Sequence, residues 1–211
     1  MKKQNHGRKK VSSFMLLLNY FPIIYAASGI FTVYHAPFNR FLAALLWIYI
    51  LPPLIGRITI LIFGRPEKRA SGVFTGTYRL WWFLLQLQVP FDRFRFLEEI
   101  LRLVPGLYNF WLNLWGAKVH LFTYWSAGSL ISDRYNLEIE KFVVMGGHSG
   151  IGGHVITKTK SGEYVLTAAK VKIGKGSIIG ARASIGPGSI IPENSVVPAG
   201  SLLLPFTKWK N

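Results

Sequence analysis

The chain has 211 residues, half of them apolar, and its 25 Lys and Arg against 9 Asp and Glu give a formal charge of +16. High hydrophobicity beside high charge excludes an intrinsically disordered chain. The absence of cysteine excludes a disulfide framework, a thiolate nucleophile and a cysteine zinc site.

The first 64 residues read as a basic N-terminus followed by a membrane hairpin. Lys2, Lys3, Arg8, Lys9 and Lys10 precede a stretch from Val11 to Asn39 with no Asp, Glu, Lys or Arg. That stretch exceeds the ~20 apolar residues a bilayer-spanning helix needs, and Phe14 to Tyr34 is expected to be such a helix. It is also longer than the roughly 7–15-residue core of a signal peptide, and a second apolar run follows it. This second run, Phe41 to Phe63, is interrupted by Pro52-Pro53 and Arg57, so a kinked span is expected. With Arg65, Lys68 and Arg69 after the hairpin, the positive-inside rule puts both ends in the cytoplasm. A re-entrant or interfacial hairpin gives the same sidedness, and the location expected is the cytoplasmic (inner) membrane. Because the basic residues bracket apolar runs instead of lining a face with interleaved aromatics, membrane lipid is the expected partner and nucleic acid is not.

Residues 65–114 read as amphipathic helices. Tyr78 to Gln88 is dense in Trp and Leu and is expected to stop at Pro90, while Glu98 and Glu99 face Arg95 and Arg102. Leu107, Phe110, Trp111 and Leu114 recur at helical spacing as one apolar stripe. That stripe suits either the headgroup layer of a membrane or packing against the rest of the chain.

Residues 115–211 carry a six-residue repeat. Ile173-Gly174, Ile179-Gly180, Ile185-Gly186, Ile191-Pro192 and Val197-Pro198 open five consecutive hexads, whose fifth positions are Ser177, Ala183, Ser189, Ser195 and Ser201. Stepping back by six from Ile151 gives Met145, Ile139, Asp133, Ala127, Leu121 and Trp115 as openings. This spacing fits a triangular parallel β-helix: each hexad makes one short strand and one corner, and the opening aliphatic stacks on its copies above and below. Small fifth residues also face inward, Gly and Pro serve the corners, and three hexads close a coil, giving about four coils. The fold class expected is therefore a mainly β C-terminal domain with an α-helical, membrane-associated N-terminal region.

These residues resemble the hexapeptide-repeat acyltransferases, over roughly Trp115 to Leu204. The resemblance implies a left-handed parallel β-helix, a homotrimer with sites in the grooves between prisms, and transfer of an acyl group from acetyl-CoA or another acyl-CoA to a hydroxyl or amine. The hexads stop over an excursion, residues 157–172, with Ser161-Gly162 as its turn. In the family such an excursion folds over the acceptor site beside a catalytic His, which places the general base at His154. A neutral imidazole with a pKa near 6.5 suits that task.

On the hexad frame, Asn136 lies one rung from His154 and would orient it or hold the acceptor. Asp133 breaks the aliphatic rule; either the coil is distorted there, with Asp133 paired to Arg134 or solvated, or its carboxylate points into the groove. His148 is the rival base, one face earlier. Gly188 would leave the groove open with a backbone N–H toward the thioester oxygen. Lys170, Lys172, Lys175 and Arg182 would neutralise the coenzyme A phosphates, or are ordinary solvated or headgroup-facing side chains.

The function these features point to is a membrane-anchored acyltransferase acting on a lipid, a lipid-linked sugar or a similar acceptor, with no metal. Two alternatives remain: a non-catalytic trimeric β-helix scaffold at the membrane, and a carbonic-anhydrase-like β-helix whose zinc would need three His, the number that His120, His148 and His154 supply. The glycines at Gly146-Gly147 and Gly150, Gly152 and Gly153 fall within the hexad frame and lack the strand–turn–helix setting of a nucleotide loop.

Overall fold

The computed structural model describes residues 13–72 and 75–210; the N-terminal basic cluster lies outside the described residues. The N-terminal half is helical: α1 (Ser13–Leu18), α2 (Phe21–Tyr34), α3 (Arg40–Leu45) and α4 (Leu51–Phe63). α3 and α4 are one continuous helix, Arg40–Phe63, joined through a π-turn at Leu46–Ile50. The π-turn accommodates Pro52-Pro53. In it the Leu51 N–H reaches back to the Leu46 carbonyl, five residues away, so the helix widens ahead of two residues that have no N–H to offer.

Arg40–Phe63 is long and apolar enough, by length and composition, to cross a bilayer. The single helix expected from Phe14 to Tyr34 is instead broken at Asn19-Tyr20, and α2, with 14 residues, is about 21 Å long, short of the ~30 Å hydrocarbon core. Arg57 is not a buried charge. It is exposed, and its guanidinium donates to the Asn113 carbonyl at 3.0 Å.

Strand β1 (Lys68–Gly72) leads to α5 (Gly76–Arg93), α6 (Phe96–Arg102) and α7 (Leu107–Leu114). Thr75 caps α5 through its hydroxyl, and Tyr78, Trp81, Leu84, Leu87 and Phe91 form its buried face. Pro90 does not stop the helix; it sits in the last turn and accepts the Phe94 N–H at 2.8 Å. On α7 the buried face is Tyr108, Trp111 and Leu112, continued by Trp115, while Leu107 and Phe110 are exposed. The apolar stripe expected there is therefore rotated, because packing against the first β-helix coil, and not the count of apolar residues, sets which side is inward.

Twelve short strands then wind into a prism: β2 (Lys118–Val119), β3 (Tyr124–Trp125), β4 (Leu130–Ser132), β5 (Leu137–Ile139), β6 (Val144–Met145) and β7 (Gly150–Gly152), then, beyond a hairpin of β8 (His154–Lys158) and β9 (Tyr164–Ala168), β10 (Val171–Ile173), β11 (Ile178–Ile179), β12 (Ser184–Ile185), β13 (Ile190–Ile191), β14 (Val196–Val197) and β15 (Leu202–Leu203). They form three parallel four-stranded faces, β13-β10-β5-β2, β14-β11-β6-β3 and β15-β12-β7-β4. This is a four-coil parallel β-helix. Ile173, Ile179, Ile185, Ile191 and Val197 are inward and buried, as are Ser177, Ala183, Ser189 and Ser195 at the fifth positions.

The hexad frame slips once. Later coils repeat every eighteen residues, Ile173 pairing with Ile191, but Val119 pairs with Ile139, twenty residues on, and Ile131 with Ile151. The openings of the first coil are thus Val119, Trp125 and Ile131, not Leu121, Ala127 and Asp133, and Leu121 and Ala127 are exposed at corners. Two residues are inserted between Ile131 and Ile139, and Asp133 turns back in a left-handed conformation with φ 55°. One hydrophobic core joins Ile60 of α4, Leu84, Leu87 and Phe91 of α5, the buried faces of α6 and α7 and the prism interior down to Leu203, while Tyr78 and Trp81 pack in a second cluster with Met15, Leu166 and Ala168.

Candidate active site

The inserted residues and the hairpin meet under α5. Chain leaves the prism at Gly153, forms the antiparallel pair β8–β9 with a turn that includes Gly162 at φ 89°, and is joined on its other edge by β1. His154 is the first residue of β8, so the excursion starts at the imidazole itself. Its Nδ1 lies 2.5 Å from Asp133 Oδ2. The other oxygen, Oδ1, accepts from Trp81 Nε1 at 3.1 Å and from Tyr135 Oη at 3.2 Å. The edge of Trp81 packs against the His154 ring, centroids 4.6 Å apart at 60°. Asp133 is fully buried, while the His154 side chain keeps 22% exposure.

A buried ion-pair cluster fixes the insertion from the other side. Arg134 Nε donates to Glu98 at 2.6 Å and its Nη2 to Asp92 at 2.9 Å, while its backbone N–H reaches Gln88 Oε1 at 2.8 Å. Arg102 bridges Glu98 and Glu99 at 3.2 and 2.5 Å. Gly153 is required by proximity: a Cβ there would sit 2.6 Å from Asp133 Cβ. Burial alone would lower the His154 pKa, but the negative charge and hydrogen bond of Asp133 outweigh it and raise the pKa above the ordinary 6.5. Burial raises the Asp92 carboxyl above its usual range, more than Arg134 lowers it.

His154 opens onto a groove of about 510 Å³ that runs along the face β15-β12-β7-β4 and is closed on one side by Phe91, Asp92, Arg95 and Glu98. With Nδ1 held by a carboxylate, the ring proton belongs on Nδ1, and the lone pair of Nε2 is left to accept a proton. The arrangement can serve general-base chemistry on a molecule lying in the groove.

The other sequence-predicted residues are not brought to His154. Asn136 is buried, but its carbonyl accepts from Val171 on the third coil, and its amide has no hydrogen-bond partner among the described residues. The frame slip removes it from the rung of His154, and Asp133 takes the orienting position. His148 is exposed at a corner with φ 55°, stacked over Gly128, and does not line the groove. Gly188 is a corner covered by the Phe206 ring, and Gly186 and Pro187 line the groove in its place. Lys170 and Lys172 each lie 3.6 Å from Glu138, while Lys175 and Arg182 sit at other edges of the prism. None of these four cations lines the groove, whose exposed cation is Arg95. Among the described residues no three His, Asp or Glu side chains form a group that could hold a metal ion within one chain.

Sequence reasoning missed Trp81, Gln88 and Asp92, and it paired Glu98 with Arg102 without finding Arg134. The one signal they carried was that a Glu and a Gln on apolar helix faces need a buried partner, and nothing local in the chain names Arg134.

No protein-family model and no curated protein matches the chain. Among solved structures it is similar to serine acetyltransferase isoform 3 of Entamoeba histolytica, at 12% identity over 92% of this chain and 72% of that one with a TM-score of 0.24. It is also similar to the serine acetyltransferase of Neisseria gonorrhoeae, at 16% identity over 89% and 82% with a TM-score of 0.24. The β-helix described above stands on its own strand pairing, not on these likenesses.

Proposed function

We propose that this chain is a membrane-anchored acyltransferase that moves an acetyl or other acyl group from a coenzyme A thioester to a hydroxyl or amine of a lipid or lipid-linked acceptor. The observation that carries this reading is the His154–Asp133 pair at the groove on the β-helix face. His154 Nε2 takes the acceptor's proton as its oxygen or nitrogen attacks the thioester carbonyl. The C–S bond then breaks, and the imidazolium returns the proton to the departing thiolate. Asp133 holds the tautomer and stabilises the imidazolium, a contribution of roughly 10²–10⁴ in rate for the proton transfer as a whole. Arg95 at the rim is the cation placed to meet a phosphate of the donor.

The membrane part of the reading rests on exposure. Ile23, Ile30, Phe31, Phe41, Leu61 and Phe63 of the first helices are all more than half exposed, and only 22% of the apolar window in Arg40–Phe63 is buried. The short α2 favours a hairpin that enters and returns on the cytoplasmic side, with the β-helix there too. Because the chain has no cysteine, single introduced cysteines report sidedness without background. A trimer is supported by Tyr124, Ile178 and Val196, an exposed apolar row on the face β14-β11-β6-β3.

The test is incubation of membranes containing the protein with labelled acetyl-CoA and total cell extract, followed by partition into lipid, polysaccharide and soluble fractions. Label in the lipid fraction that depends on His154 supports the reading, and label in no fraction with acetyl or long-chain donors overturns it.

A further inference from the structure

A second cavity, of about 600 Å³, lies between α2, the Arg40–Phe63 helix and the end of α5. Its lining recurs on one face of each helix, at Ala26, Gly29, Ile30 and Val33 of α2 and at Arg40, Ala44 and Trp47 opposite. The slot therefore runs along the helices, about 14 Å from Tyr25 to Tyr34. Gly29 gives it its width, since a Cβ there would lie 2.5 Å from Trp47 Nε1.

The slot and the His154 groove share one wall. Along the end of α5 and the start of α6, Asp92, Arg95 and Glu98 line the groove, Pro90, Phe94 and Leu97 line the slot, and Phe91 lines both. One turn of backbone thus separates an apolar channel in the helical part from the imidazole on the β-helix. The slot's rim includes Ile30, Tyr34 and Phe94, which are 74, 65 and 58% exposed, so an apolar molecule reaches it from the outer apolar surface of the helices without crossing water.

From this partition we infer that the slot holds the hydrocarbon chain of the acceptor, with the acceptor's polar end passing over the exposed Phe94 and Arg95 into the groove at His154. A thioester donor dissolved in water has no need of this entrance; a membrane-borne acceptor does. The inference rests on the transferase reading for the chemistry at His154, but the chain site itself is separable from it. It assigns the specificity of the reaction to Gly29, Val33, Ala44 and Trp47, none of which touches the reacting atoms.

The experiment uses the full chain in lipid nanodiscs. A long-chain fatty alcohol with a terminal diazirine is cross-linked and the labelled residues are mapped, and acetylation of straight-chain alcohols of increasing length is followed with acetyl-CoA. Labels are expected on the slot faces of α2 and Arg40–Phe63, and kcat/KM is expected to rise about fourfold per added methylene until the slot is full. Ala44→Trp, or independently Val33→Trp from the opposite wall, should abolish both the labels and the chain-length dependence.

Labels spread over the outer helix surface, with chain-length dependence unchanged in both variants, would overturn the inference and leave the transferase reading standing. Labels confined to the slot and removed by both variants, with no alcohol acetylated, would uphold the chain site and overturn the transferase reading.

Discussion

His154 and Asp133 stand twenty-one residues apart in the chain, yet their side chains meet at 2.5 Å because two features coincide: two residues inserted into the first coil, and a hairpin that leaves the second. Neither feature alone makes the pair. The insertion turns Asp133 out of the hexad frame, and the hairpin lifts His154 off the prism face toward it.

Asp133→Asn keeps the shape and removes the charge. Acyl transfer should fall by roughly 10²–10⁴, because an amide no longer fixes the proton on Nδ1 or stabilises the imidazolium. The pH profile should move as well. A general base must be neutral, so with His154 in that role the wild-type rate should rise with pH through a midpoint above 6.5, and without the carboxylate this midpoint should shift down. A rate profile that keeps its midpoint in Asp133→Asn would contradict the pairing.

The same pair contributes to stability with a definite sign. Since the folded-state pKa of His154 is raised, its stabilisation is fully present below about pH 6.5 and is lost as pH rises through the folded value. The difference in Tm between wild type and His154→Gln should therefore shrink as the pH is raised from 6 to 9. A difference that grows with pH would show that Asp133 does not hold an imidazolium.

Gly153 lets the pair approach. Gly153→Ala brings a Cβ to 2.6 Å from that of Asp133, and a displacement of about 1 Å at the base is expected to cost on the order of a hundredfold in kcat. Gly72→Ala, whose Cβ would lie 3.6 Å from Thr75, is the matched control and should leave kcat unchanged. Steady-state kinetics of the two variants side by side decide the matter.

Arg134 is a positioning residue. Its guanidinium is 1% exposed and held by Glu98, Asp92 and Gln88, so truncation takes the cation from Asp92 and leaves Glu98 with Arg102 and Tyr108 alone. Arg134→Ala should cost about 3–5 kcal/mol by denaturant titration. Arg134→Met, which fills the space, still removes that charge, so only a double variant with Glu98→Gln should recover part of the loss; full stability in Arg134→Ala would show that the cluster does not fix the insertion.

Much of the architecture was legible from period six alone, because each opening Ile or Val must face a narrow interior. The slip between Ile131 and Ile139 was not. First and fifth positions both point inward, so Val119, Trp125, Ile131 and Leu137, six apart and all buried, satisfy the unslipped frame as fifth positions equally well. That ambiguity carried Asn136 to the wrong rung and made Asp133 an anomaly. His154 was readable from its place beside the excursion, whereas Trp81, fifty-two residues from Asp133, left no local trace. Charge count does not tell which edge of a triangular prism a lysine occupies, and the proximity of Lys170 and Lys172 to Glu138 left no trace in it.

The most direct test compares His154→Ala with His148→Ala in the purified full chain, measuring acyl transfer from labelled acetyl-CoA to the acceptor found in the lipid fraction. A fall of about 10²–10⁴ in kcat is expected for His154→Ala and less than twofold for His148→Ala, which lies at an exposed corner outside the groove. Full activity in His154→Ala would contradict the role of His154 as the base.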